Sequence, residues 1–116
     1  MKLDTKKIES ILRLIESETV KNNLSWTLDA DNQYTAKIGQ SKVRIGQITD
    51  AIEGIDYIGF RIYNSDGIEL LELNGANILE FNTSYQFLEH LLGIVQDKVL
   101  KVNTTLDEII SNLGGS

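Results

Sequence analysis

Cysteine and proline are both absent from this chain of 116 residues, and histidine occurs once. Without cysteine there can be no disulfide framework, no thiolate metal site and no cysteine nucleophile. The lone histidine, His90, rules out a histidine metal cluster and a multi-histidine acid–base system. With no proline, nine glycines must share the turns with Asn and Asp. Long apolar runs are missing too: nothing approaches the roughly 18 consecutive residues of a membrane span. The segment Met1–Lys7 leads into an amphipathic pattern rather than the apolar run of a signal peptide. Positive charge is scarce, with 11 Lys and Arg against 17 Asp and Glu and a net charge of −6. That field repels phosphate backbones. These absences point to a cytoplasmic chain with no membrane partner, no nucleic-acid partner and no cofactor.

Hydrophobic residues make up 41% and charged residues 24%, an ordinary globular balance. The length suits a single α+β domain over residues 1–116, with 113–116 as a frayed tail and Gly115-Ser116 as a loose end or cloning remnant. Asp4 stands where an N-cap belongs, and Ile8, Ile11, Leu12 and Ile15 make one apolar stripe of a helix from Thr5 to about Lys21. Five strands follow. Leu24, Trp26 and Leu28 alternate with polar residues, then Tyr34, Ala36 and Ile38, then Val43 and Ile45. Tyr57–Tyr63 and Ile68–Leu73, joined by Asn64-Ser65-Asp66-Gly67, complete the set as a hairpin. In the fifth strand Leu70 and Leu71 are adjacent, which leaves its phase open. Thr83-Ser84-Tyr85-Gln86 reads as a capping box ahead of a helix with Leu88, Leu91, Leu92, Val95 and Val99 inward. Thr105-Leu106-Asp107-Glu108 repeats the signature before a shorter stripe of Leu106, Ile109, Ile110 and Leu113, with Gly114 as the C-terminal cap.

The predicted fold is a two-layer sandwich: an N-terminal helix, a five-stranded antiparallel meander, a C-terminal helix and a short terminal helix. Its core face carries Trp26, Leu28, Ala36, Ile38, Val43, Ile45, Ile58, Phe60 and Ile62.

Catalytic motifs are missing. No serine sits in a nucleophile-elbow sequence. Asp29-Ala30-Asp31-Asn32 hints at a calcium loop, but the required glycine and glutamate positions hold Tyr34 and Gln40, so it reads as a turn. The carboxylate pairs Asp50/Glu53 and Glu69/Glu72 read as solvated surface. The chain is therefore read as no enzyme.

Strand parity does assemble one constellation. It sends Thr35, Lys37, Lys42, Arg44, Tyr57, Arg61 and Tyr63 to the face away from the helices, with a shallow gap at Gly59. Tyr and Arg commonly anchor interfaces, so Lys37, Arg44, Tyr57, Arg61 and Tyr63 form the candidate binding face. Cross-strand pairing with Glu69 or Glu72 is the competing use for these charges. The terminal helix, too short to be stable alone, docks either on its own domain or on a partner, across a Lys101–Thr104 linker.

These features imply a non-catalytic protein–protein interaction module, immunity- or inhibitor-like or chaperone-like, that binds another protein and forms a homodimer. The element order is similar in layout to that of type III secretion chaperones, which are also small, acidic and dimeric. That resemblance implies a helix between the third and fourth strands, where this chain has only Thr49–Asp56. The alternative is a small-ligand sensor. Its pocket between sheet and helices would be lined by Trp26, Tyr34, Phe60 and Phe87, with Arg44 or Arg61 holding an anion.

Overall fold

Asp4 begins the first helix by accepting the Lys6 and Lys7 amides on its carboxylate at 3.1 Å each. In the computed structural model, which describes residues 3–114, this helix (α1) covers Thr5–Val20 and buries Ile8, Leu12, Ile15 and Thr19. It stops at Asn22, whose left-handed φ of 62° turns the chain. Asn22 and Asn23 then return their amides to Thr19 and Glu18, the paired bonds of a Schellman end.

The sheet is a meander in strand order: β1 (Trp26–Leu28), β2 (Tyr34–Ile38), β3 (Ser41–Thr49), β4 (Asp56–Tyr63) and β5 (Glu69–Leu73), every pair antiparallel. Each turn shows its chemistry. Asp29 accepts the Asp31 and Gln33 amides between β1 and β2. Gly39, at φ 63°, takes the first position of a two-residue hairpin, so Ser41 belongs to β3 rather than to the turn. Asn64 accepts the Asp66 and Ile68 amides between β4 and β5. The β3–β4 connection is a turn and not a helix, so the layout of the secretion chaperones is not reproduced there.

Beyond β5, a 3-10 turn at Ile78–Phe81 buries both of its end residues, an element the strand-and-helix reading did not contain. Helix α2 (Tyr85–Leu100) buries Leu88, Leu91, Leu92 and Val95 against the sheet. The expected capping box does not form: Ser84 is the N-cap and makes no side-chain cap bond. Anchoring comes instead from Tyr85, whose phenol oxygen accepts the Ile58 amide at 2.7 Å. Helix α3 spans Val102–Asn112, with Lys101 as its N-cap, and starts four residues earlier than the Thr105 capping signature predicts. The expected linker shrinks to Lys101, at a left-handed φ of 53°. Asp97 then accepts the Asn103 backbone and side-chain N–H groups, doing the work assigned to Thr105. Gly114, at φ 82°, closes α3, and Gly115-Ser116 lie outside the described residues.

The core is α1, α2 and the 3-10 turn packed on one face of the sheet, around Trp26, Tyr34, Ala36, Val43, Ile45, Ile58, Phe60 and Leu73. Leu28 and Ile38 share that face but stay exposed at strand ends beyond the helical cover. The phase of β5 is set by a bulge: Ile62 pairs with Leu71 and Tyr63 with Glu69, so Leu70 is the extra residue. The bulge has two effects. It points Leu71 and Leu73 inward, and it puts Glu69 and Glu72 on the same outer face although they are three residues apart.

Candidate interaction surface on the uncovered sheet face

Register decides which side chains meet on the face away from the helices. Thr35, Arg44, Arg61 and Glu72 line up across β2–β5, and Lys37, Lys42, Tyr63 and Glu69 form the next row. Gly46 opposes Gly59, and Ile48 opposes Tyr57. All five candidate residues, Lys37, Arg44, Tyr57, Arg61 and Tyr63, therefore share the face. Two residues that parity alone did not bring to attention fill the space at the glycine pair. A Cβ on Gly46 would lie 2.5 Å from Gln33 Oε1, and one on Gly59 would lie 2.5 Å from Ile48 Cδ1. The gap expected at Gly59 is thus occupied by Ile48. Gln33 is buried and donates its Nε2 to the Gln47 carbonyl at 2.7 Å.

The cations are largely spoken for. Arg44 directs Nη2 and Nε to Asp29 Oδ2 at 2.7 and 3.1 Å, with Asp31 at 3.5 Å. Arg61 Nε meets Glu72 at 3.2 Å and Glu69 at 3.7 Å. Glu72 also accepts from Asn74 Nδ2 at 2.7 Å and from the Tyr57 hydroxyl at 3.4 Å. The guanidinium side chains keep only 16% and 22% of their exposure. They are clamped, though not sealed. Four cations (Lys37, Lys42, Arg44, Arg61) stand beside four carboxylates (Asp29, Asp31, Glu69, Glu72), so the face is near neutral rather than basic. Among the described residues, neither Lys37 nor Lys42 forms a salt bridge, and Lys42 Nζ sits 4.9 Å from the centre of the Tyr63 ring.

Titration follows from these contacts. Burial pushes the Asp29 carboxyl up, but hydrogen bonds from the Gln33 amide, the Arg44 guanidinium and the Asp31 amide outweigh it and hold the group below the usual carboxylate range. Burial and the neighbouring Glu72 charge raise the Tyr57 phenol, so it stays a hydrogen-bond donor.

Other candidate groups fall elsewhere. His90 Nε2 meets Glu16 at 2.9 Å between the two exposed helix surfaces, an ordinary surface pair. Asp50 accepts the Ile52 and Glu53 amides and so serves its own turn. Among the described residues, no group of three or more His, Cys, Asp or Glu side chains could hold a metal ion. Trp26, Tyr34 and Phe60 are packed into the core. Only Phe87 borders open space, a surface cleft of about 520 Å³ bounded by α1, the 3-10 turn and the start of α2. Arg44 and Arg61 lie on the other side of the sheet and cannot hold an anion at the rim of a sheet–helix pocket.

No protein-family model matches this chain, and no curated protein and no solved structure is significantly similar to it. No helix among the described residues is long and apolar enough to cross a membrane.

Proposed function

We propose that the chain is a non-catalytic protein-interaction module that receives a partner protein on the uncovered sheet face. The observation behind this reading is a complete face of a five-stranded sheet, with no helix over it among the described residues, on which Tyr57, Arg61, Tyr63 and Arg44 are held in place by their own neighbours. Side chains already fixed lose little rotamer entropy when a partner arrives. Because the face is near neutral, charge does little to select the partner. Shape and contact with the half-buried Tyr57 do more, since Tyr63 is buried beneath its neighbours on the same face, with Lys37 and Lys42 offering the unpaired positive charge at one end. An inhibitor-like or chaperone-like cytoplasmic role fits such a surface.

The test is site-specific photocrosslinking in the source cells, with the probe at Lys37 or Thr35 and a control probe at Gln86 on α2. A partner of defined mass from the sheet positions alone supports the reading. Adducts from all three positions, or from none, count against it. The small-ligand alternative retains only the cleft beside Phe87.

A further inference from the structure

Helix α3 has no buried residue. Val102, Leu106, Ile109, Ile110 and Leu113 stay 41–82% exposed, although their spacing is that of an apolar stripe. The helix carries this stripe away from the body. The radius of gyration is 15.9 Å, against about 13 Å for a compact domain of this length. An isolated helix of 11 residues is marginal in water, so the stripe needs a cover.

We infer that the cover is α3 of a second copy of this chain, packed antiparallel about a two-fold axis. Val102, Leu106, Ile109 and Leu113 are spaced by four, three and four residues, the seam of a helix pair. That spacing reads the same from either end. In an antiparallel pair Val102 meets Leu113 of the other copy and Leu106 meets Ile109, so one seam makes four matched layers with itself, as an isologous contact requires.

The flanks agree. Asn103, Thr105, Ile110 and Asn112 border the seam and none is charged, while Asp107 and Glu108 project from the back of the helix. Two copies of a chain with net charge −6 can therefore meet here without facing like charges. Antiparallel packing also sets each helix N-terminus beside the other's C-terminus, the favourable arrangement of their dipoles. From the exposed side chains, pairing buries on the order of 400 Å² per copy, below the roughly 800 Å² of a standard interface. The dimer is accordingly weak and reversible. Because the copies repel at long range, added salt tightens it.

Sedimentation equilibrium of the full chain from about 1 to about 500 µM spans the range expected for so small a contact. The expected result is a monomer–dimer equilibrium, with far-ultraviolet helicity rising on association. Leu106→Glu should weaken it at least about tenfold without moving the thermal midpoint of the domain, since α3 buries nothing. The natural absence of cysteine allows the orientation to be read directly. Mixing Val102→Cys with Leu113→Cys chains should give a heterodisulfide, and Val102→Cys alone should give little dimer. A chain that stays monomeric throughout, a dimer indifferent to Leu106→Glu, or efficient self-crosslinking through Val102→Cys would each overturn the inference. None of these outcomes touches the sheet-face reading, which concerns a separate surface.

Discussion

Thr19 offers the sharpest test of how the helical layer is joined to the sheet. Its residue exposure is 0%, and its hydroxyl does two things at once. It donates to the Ile15 carbonyl at 2.6 Å and accepts the Trp26 indole N–H at 3.0 Å. Valine has the same shape and fills the same space, so Thr19→Val opens no cavity. What it leaves is a buried indole donor with no acceptor, a loss of about 1–3 kcal/mol. For a domain of this size, each kcal/mol moves the thermal midpoint by roughly 4 °C, so the expected drop is about 4–12 °C. Trp26 is the only tryptophan, which makes its fluorescence a reporter of this contact, followed beside circular dichroism during urea unfolding. The decisive comparison repeats Thr19→Val in a Trp26→Phe background, where no donor is left to strand. The penalty there should shrink by at least about 1 kcal/mol. An equal penalty in both backgrounds, or a cost under about 0.5 kcal/mol in the parent, would refute the hydrogen-bond account.

Three further expectations rest on single contacts. Tyr85→Phe removes the acceptor of the Ile58 amide; it should cost about 1–2 kcal/mol and speed hydrogen exchange at Ile58, and unchanged exchange would refute the pinning. Gly46→Ala should destabilise more than Gly59→Ala in parallel urea titrations. The first drives Gln33 from a buried hydrogen-bonded site, whereas the second meets only the flexible tip of Ile48. Asp29→Asn should narrow its stability deficit as pH falls. The folded-state pKa of Asp29 is depressed, so its contribution is complete above the unfolded value near 3.9 and disappears as pH drops through the lower folded value. Urea midpoints of both proteins should therefore converge in strong acid, and a constant difference would contradict the pairing with Arg44.

Period-two alternation from Trp26 to Tyr63 and the stripes of α1 and α2 made the fold legible, because both patterns are imposed by a single buried face. Parity likewise brought the five candidate residues together on the uncovered face. Their charge state was not legible, for a geometric reason. Asp29 belongs to a turn, and Glu69 and Glu72 reach one face only through the bulge at Leu70, which no alternation rule announces. Charge reversal at Arg44 or Arg61 would therefore cost stability, because it puts a carboxylate beside Asp29 or Glu72 in a partly buried site. The 3-10 turn was not legible because Ile78 and Phe81 make a single i, i+3 pair, too short a pattern to mark a helix. The early start of α3 depends on a side chain from the preceding helix, Asp97, that capping rules applied to adjacent residues do not include.

The meander also shapes how the chain reaches its native state. Every strand pairs with the strand beside it in sequence, so the loops that must close are short and their entropic cost is small. The sheet can zip hairpin by hairpin, while the contacts that close α1 and α2 over it join distant parts of the chain. The loop-closure cost of folding therefore falls mainly on the docking of α1 and α2 rather than on strand pairing.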